Sequence, residues 1–198
     1  RSVNYYNSII RFIYDVVLDI PINQKQIPMI KGKRRLPKIL SEQELSIFFN
    51  ACEDYMYKTI FMMIYGSGLR ISEATNLRVE DIDSKKMRIF VRNGKGERER
   101  YTVLPKASLE MLREYFKRYK PKHAEGYLFL NEEREPLTVE RLRVYFRKYR
   151  RKAGISEDFI VHSLRHSFAT KLVEEGVPLV QVKELLGHES LTTTEVYT

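Results

Sequence analysis

The sequence has a single cysteine, Cys52, and no long apolar stretch among its 198 residues. One cysteine excludes an intrachain disulfide framework and a zinc site built on cysteines, and it fits a reducing compartment. No run approaches the ~18 apolar residues that a membrane-spanning helix needs, and the N-terminus lacks a signal-peptide pattern. The sequence therefore predicts a cytoplasmic protein. Because it starts at Arg1, we expect a further segment to precede it.

Apolar residues and positive charge are both plentiful. Hydrophobic residues make up 43% of the chain, which is enough for a globular core. The 35 lysines and arginines exceed the 26 acidic residues and leave a net charge of +9, spread along the whole chain. This excess favours a polyanionic partner. The alternative is a basic protein whose charges are simply solvated.

The N-terminal part predicts one amphipathic helix and a basic connector. Apolar residues recur at helical spacing over residues 3–19, and Pro21 and Pro28 prevent the helix from continuing. The connector covers residues 28–36 and suits a phosphate backbone, with an exposed solvated loop as the alternative. Its cations are Lys31, Lys33, Arg34 and Arg35.

A new domain is predicted to begin at residue 37. Ser41 and Glu44 have the spacing of a capping box ahead of an apolar helix. Residues 56–65 are apolar almost all round and predict a buried helix, which the segment 66–68 interrupts. Arg70 follows this interruption and is therefore expected beside a core element.

Residues 87–92 and 98–104 predict a β-hairpin, because both runs are rich in β-formers and flank an Asn-Gly turn. Lys95 lies at the tip between two glycines. An ordinary charged turn is the alternative. The strands carry Arg92, Arg98 and Arg100.

The remaining chain predicts mainly helices, over residues 106–119, 138–153, 162–175 and 179–186, with a short extended piece at 127–130. The fold class is therefore α+β, mainly α, with a small antiparallel β-sheet or hairpin. The helix over 138–153 is dense in cations that could lie along DNA phosphates. They are Arg141, Arg143, Arg147, Lys148, Arg150, Arg151 and Lys152.

The helix from His162 carries candidate chemistry. His162 and Arg165, three residues apart, can converge on one phosphate. His162 and His166, four apart, have the spacing of a helical zinc motif, but Ser163 stands where that motif needs glutamate. Because no third ligand is evident, we expect no metal.

Cleavage of a phosphodiester needs a nucleophile, donors for the non-bridging oxygens and an acid for the leaving hydroxyl. The chain holds such groups in ordered motifs: Arg70 within residues 68–73, Lys95 on the hairpin, residues 162–166, residues 186–188, and Tyr197. Across residues 36 to 198 their order and spacing resemble those of tyrosine recombinases, the lambda-integrase and Xer-type family. Five separated motifs in order are far more specific than one short pattern.

The resemblance implies a role for each matching residue. Arg70 and Arg165 clamp the scissile phosphate, and His162 and His188 donate hydrogen bonds or shuttle protons. Lys95 protonates the leaving 5′-hydroxyl, and Tyr197 attacks to form a 3′-phosphotyrosine, with no metal or nucleotide cofactor. Glu73 orients Arg70, or else is a solvated helix carboxylate. His166 supports the site from behind, or else is a packed histidine.

The same resemblance implies an arrangement of domains. Residues 1–27 become the last helix of an otherwise missing core-binding domain, residues 28–36 a basic interdomain linker, and residues 37–198 a catalytic domain cut just after its nucleophile. The implied assembly is a homotetramer of the full-length protein on two sites in double-stranded DNA. The short span between the extended piece and His162 favours a Xer-like, phage or transposon enzyme, as in integration, excision or transposition of a mobile element.

Two rival functions stay open from the sequence. A type IB topoisomerase resembles this set of residues but acts as a monomer and relaxes supercoils. A non-catalytic DNA-binding regulator would use the charge and the helices, and the matching residues would be incidental.

Overall fold

The computed structural model describes residues 2–23, 25–30, 39–92 and 99–187. The chain divides into two compact units, Arg1–Leu36 and Pro37–Thr198. In the first unit, helix α1 (Ser2–Phe12) continues as a π-helical turn over Ile13–Val17. The helix predicted over residues 3–19 is therefore confirmed. The Asn4 side chain donates to the carbonyl of Ile30 and accepts from its amide, at 2.9 and 2.8 Å, so the chain up to Ile30 folds back along α1. Assignment of this unit to a core-binding domain stays a prediction.

The second unit is mainly helical, which confirms the predicted fold class. A 3-10 turn, Val79–Asp81, leads into a small sheet, and none of the described helices is long and apolar enough to span a bilayer. The elements are α2 (Glu42–Ala51), α3 (Tyr55–Ser67), α4 (Ile71–Thr75), β1 (Ile82–Asp83), β2 (Arg88–Val91), β3 (Arg100–Val103), α5 (Lys106–Tyr119), α6 (Val139–Lys152), α7 (Val161–Glu174) and α8 (Leu179–Leu186).

The sheet is antiparallel in the order β1-β2-β3. The predicted hairpin is confirmed, since β2 pairs with β3 from Arg88 opposite Val103 to Val91 opposite Arg100. The two-residue strand β1 was not predicted. The extended piece at 127–130 forms only isolated bridges, from Tyr127 to Arg78 and from Leu130 to Pro136. The tip, residues 93–98, lies outside the described residues.

Helix ends follow the local sequence signals. The capping box is confirmed: the Ser41 hydroxyl accepts from the amide of Glu44 at 3.2 Å, and the Glu44 carboxylate accepts from the amide of Ser41 at 2.9 Å. The helix was predicted to be interrupted from residue 66, and this is wrong, because α3 continues to Ser67. The helix ends at Gly68, whose φ of +63° favours glycine. A Cβ there would lie 2.4 Å from the Phe168 ring.

Phe48 lies at the centre of the main core. Its ring centroid is within 5.0 to 6.1 Å of the rings of Phe49, Phe61, Phe146 and Phe159, so α2, α3, α6 and the segment before α7 meet there. A smaller cluster joins α7 to α8 through Phe168, Ala169, Val182 and Leu186. These two clusters fix α7 on both sides.

Phe48→Ala should destabilise the second unit by about 3–5 kcal/mol, because it removes a fully buried ring and leaves a cavity among four others. Urea unfolding followed by circular dichroism measures this loss. Phe116→Ala is the matched control, since Phe116 lies on the surface and is 42% exposed, so that its removal should cost about 1 kcal/mol or less. Equal losses in the two variants would contradict the core assignment.

Candidate functional site

The site begins at the junction of α3 and α4. Arg70 directly precedes α4 with an extended backbone, and Glu73 lies in the first turn of that helix. One Glu73 oxygen accepts the Arg70 amide at 2.7 Å, and the other accepts from the Arg70 guanidinium at 2.6 Å. Glu73 therefore caps the helix and holds the arginine side chain at the same time.

Three arginines surround the Glu73 carboxylate. Besides Arg70, Arg100 donates one hydrogen bond to each carboxylate oxygen at 2.8 Å, and Arg165 lies 3.7 Å away. Only 4% of the Glu73 side chain is exposed. The alternative of a solvated helix carboxylate is therefore wrong. We call Arg70, Glu73, Arg100 and Arg165 the arginine cluster.

The same arginines also hold the C-terminal end of α8. Arg100 donates to the carbonyl of Leu185 at 2.9 Å, Arg165 to that of Leu186 at 2.5 Å, and Arg70 to that of Gly187 at 2.8 Å. The last carbonyls of a helix lack partners within the helix and carry partial negative charge, so guanidinium donors stabilise them. The arginine cluster thereby fixes the chain up to the residue before His188.

The charges of the arginine cluster do not cancel. Burial alone would raise the pKa of the Glu73 carboxyl, but the hydrogen bonds and charge of Arg100, the Arg70 amide and the charge of Arg165 lower it to about 2. The carboxylate is therefore ionised at neutral pH. With three guanidinium groups against one carboxylate, the cluster keeps two positive charges in excess. Such an excess beside a partly open arginine suits a phosphate group.

Two histidines lie next to the arginine cluster on α7. The rings of His162 and His166 are 4.5 Å apart, edge to face. Desolvation, and then the charges of Arg165 and Arg70, lower the pKa of His162. Desolvation, with the charges of His162 and Arg165, lowers the pKa of His166 to about 4. Both rings are therefore neutral at pH 7, and each can donate one hydrogen bond and accept another.

The structure brings Arg70, Glu73, His162 and Arg165 into one site, as their motifs predicted, with His166 behind His162. Lys95, His188 and Tyr197 lie outside the described residues. The described residues contain no group of three or more His, Cys, Asp or Glu side chains that could hold a metal ion.

Arg100 differs from its sequence interpretation as a DNA-contacting residue on the hairpin. Only 9% of its side chain is exposed, and its guanidinium is bound to Glu73 and Leu185. The reason is strand alternation, because Arg100 shares the inner face of β3 with buried Thr102. The spacing of two residues between Arg100 and Thr102 is the sequence signal that could have placed Arg100 on the buried face. Of the other hairpin cations, Arg92 binds Asp81 and Glu80, and Arg98 lies outside the described residues.

The cations of α6 fall into two groups. Arg141 binds Glu132 and the Tyr57 hydroxyl, and buried Arg150 donates to the carbonyls of Glu157 and Phe159. A second group remains more open: Arg143 and Arg147 pair with exposed Glu140, and Lys148 lies over two tyrosine rings.

A groove of about 290 Å³ connects this open group to the site. Its lining includes Arg143 and Arg147 of α6 and His162 of α7, but not Lys148. The connector cations Lys31, Lys33, Arg34 and Arg35 lie outside the described residues.

Glu73→Gln should destabilise the second unit by about 3–5 kcal/mol at pH 7, because the buried guanidinium groups lose their counter-charge. The pKa of Glu73 is lowered from 4.5 to about 2 by folding, so the ionised carboxylate stabilises the fold above about pH 4.5. That stabilisation is lost as the pH falls from 4.5 towards 2. Urea unfolding across this range should show the difference between wild type and variant shrinking.

The control for this prediction is Glu140→Gln, which removes an exposed carboxylate that also binds two arginines. It should change stability by about 1 kcal/mol or less at any pH. A Glu73→Gln difference that stays constant with pH would contradict the buried carboxylate.

The known proteins that this chain is similar to are integrases and recombinases. Residues 38–198 match the phage integrase family. An integrase/recombinase of Sinorhizobium fredii is 35% identical over 99% of this chain and 78% of its own length. The tyrosine recombinase XerA of Pyrococcus horikoshii is 36% identical over 85% of this chain and 59% of its own length.

A solved structure shows the same fold. The site-specific recombinase XerH, bound to its palindromic difH substrate in a post-cleavage complex, superposes with a TM-score of 0.77 at 28% identity. The match covers 89% of this chain and 54% of that one. The chain thus spans only part of the length of these proteins. With the family match over most of its residues, the chain belongs to the phage integrase family of tyrosine recombinases.

Proposed function

We propose that this chain supplies the catalytic domain of a site-specific recombinase that cuts and rejoins double-stranded DNA through a 3′-phosphotyrosine intermediate. The observation that carries the proposal is the arginine cluster, in which Arg70 and Arg165 share a buried carboxylate beside neutral His162. The XerH complex supports it, since a relative of this fold is bound to its substrate after cleavage.

Arg70 and Arg165 stabilise the negative charge that develops on the scissile phosphate. Arg70 keeps 21% of its side chain exposed, whereas Arg165 exposes 1%. A phosphate therefore meets Arg70 first, and direct contact with Arg165 requires the side chains over it to move. His162 and His188 donate to, or exchange protons with, the phosphate oxygens and their neighbours.

The nucleophile is Tyr197, whose hydroxyl oxygen attacks the phosphorus and gives up its proton to His162 or His188. The bond from phosphorus to the 5′ oxygen breaks, and Lys95 protonates that leaving oxygen. The phosphotyrosine conserves the bond energy, so a 5′-hydroxyl from a partner strand reverses the step without a nucleotide cofactor. These roles rest on the motifs and on family membership.

The wider assembly is also part of the proposal. Residues 1–27 belong to a core-binding domain, residues 28–36 link it to the catalytic domain across the duplex, and the full-length protein acts as a homotetramer on two DNA sites of a mobile element. The two compact units, which divide between Leu36 and Pro37, support this organisation. The cytoplasmic location stays a prediction from the single cysteine.

Tyr197→Phe should abolish the covalent adduct between protein and DNA and leave duplex binding nearly intact, because it removes only the attacking oxygen. Denaturing gel electrophoresis detects the adduct on nicked duplexes tiled across the DNA that flanks the gene. Tyr101→Phe is the matched control, since Tyr101 is an exposed strand residue, and its adduct should match that of the wild type. An adduct that survives Tyr197→Phe would mean a different nucleophile.

The same preparations separate the rival functions. Relaxation of supercoiled plasmid at any sequence would favour a topoisomerase over a recombinase. If the protein is a regulator, its wild type should form no adduct, and Tyr197→Phe should keep its full function.

Replacing Arg143, Arg147 and Lys148 with glutamine should flatten the salt dependence of DNA binding, because Arg143 and Arg147 line the groove that reaches His162 and Lys148 is their neighbour on α6. The slope of log K against log salt should fall by up to about 0.9 for each phosphate that the variant no longer neutralises. Fluorescence anisotropy at several salt concentrations measures it. The control replaces Arg113, Lys117 and Arg118 on α5 and should keep the wild-type slope. An unchanged slope in the α6 variant would mean that α6 does not contact the DNA.

A further inference from the structure

We propose that Arg100 is a positioning residue for strand cleavage, which holds Arg70 in place through Glu73 and fixes the end of α8 from which the chain continues to His188 and Tyr197. This inference rests on the proposed function and assigns Arg100 a role other than contact with DNA.

The contacts of Arg100 are directional. Its two terminal nitrogens bind the two Glu73 oxygens side by side, both at 2.8 Å, and its third nitrogen binds the Leu185 carbonyl at 2.9 Å. A two-pronged contact fixes the orientation of a carboxylate as well as its position. Because both side chains are buried, water and salt weaken this pair little.

Arg100 lies where three segments of the site meet. It is the first residue of β3 after the hairpin tip that carries Lys95, and it pairs with Val91 on the other side of that tip. Two residues on, the Thr102 hydroxyl donates to the carbonyl of Ser67 at 2.7 Å. The inner face of β3 therefore contacts the junction before Arg70, while the Arg100 side chain reaches the end of α8.

The loss of Arg100 differs from the loss of Glu73. Without Arg100, Glu73 still has the Arg70 guanidinium and the Arg165 charge, so the buried carboxylate is not left unpaired. It does lose two of the four hydrogen bonds that it accepts from Arg70 and Arg100, and the Leu185 carbonyl loses the Arg100 donor. We therefore expect a folded protein in which Arg70 and the chain after α8 are less precisely placed.

Gly187 allows Arg100 to be displaced without loss of its charge. A Cβ on Gly187 would lie 2.9 Å from Cδ and 3.1 Å from Nε of Arg100, and the φ of +63° is itself unfavourable for alanine. Gly187→Ala therefore presses on the Arg100 side chain from the α8 side. It should reproduce the effect of Arg100→Met.

The test uses the full-length protein with Arg100→Met, Arg100→Lys and Gly187→Ala. Arg88→Met is the matched control, because Arg88 is on the neighbouring strand and pairs with Asp83 in a partly exposed ion pair. We measure the rate of covalent adduct formation at saturating protein on nicked duplexes tiled across the DNA that flanks the gene, and separately the Kd for the same duplexes.

Arg100→Met and Gly187→Ala should form the adduct about 10- to 100-fold more slowly with unchanged Kd, because a small displacement of catalytic groups has effects of this size. Arg100→Lys should stay slow, since an ammonium cannot make the two-pronged contact. Arg88→Met should keep the wild-type rate. A wild-type rate in Arg100→Met, or a loss of binding that accounts for the slower rate, would overturn the proposal.

Hydrogen–deuterium exchange without DNA gives a readout that does not depend on cleavage. Amides of residues 183–187 should exchange faster in Arg100→Met and Gly187→Ala than in Arg88→Met, because the end of α8 has lost its donor. Unchanged exchange in both variants would overturn the positioning role. If the wild type forms no adduct on any duplex, the recombinase proposal fails, while exchange still decides the role of Arg100. If Arg100→Met does not fold, the adduct rates and the exchange of Arg100→Lys and Gly187→Ala decide the role of Arg100.

Discussion

The second unit depends on one buried carboxylate. Neither Glu73 nor the arginines around it could be buried alone, because desolvation of an unpaired charge costs far more than packing returns. Their contact joins α4, β3 and α7, three elements that are distant in sequence. The two arginines predicted to hold the phosphate are therefore both placed against one carboxylate.

The same contact determines how the chain leaves α8. The negative end of this helix faces the three guanidinium groups, so Arg70 and Arg100 each bind a carbonyl there and the Glu73 carboxylate at the same time, through different nitrogens. The left-handed Gly187 then turns the chain away close against Arg100, where a side chain would not fit. Arg70, Arg100 and Arg165 and the end of α8 therefore hold one another in place.

Local signals in the sequence predicted most of the helices, because capping boxes, periodicity and terminal glycines act within a few residues. The bounds of α5 and α8 and the Ser41 cap were predicted correctly. Gly66 and Arg100 were misinterpreted because their contacts are with residues distant in the sequence. Gly66 packs on Pro105 and Ser108, and Arg100 binds a carboxylate 27 residues away. The predictions for Lys95, His188 and Tyr197 rest on motif order alone.

The net charge of the chain overstates the charge available to DNA. Arg100 and Arg150 are largely buried inside the second unit, where Arg100 binds buried Glu73 and Arg150 binds two backbone carbonyls and, at 3.6 Å, the exposed Glu157 carboxylate. Arg143 and Arg147 instead pair with exposed Glu140, and surface pairs of this kind contribute only about 0–1 kcal/mol. A phosphate can displace Glu140 at little cost. The burial of the arginine side chain itself therefore separates Arg100 and Arg150, which hold the fold together, from Arg143 and Arg147, which are open to a phosphate.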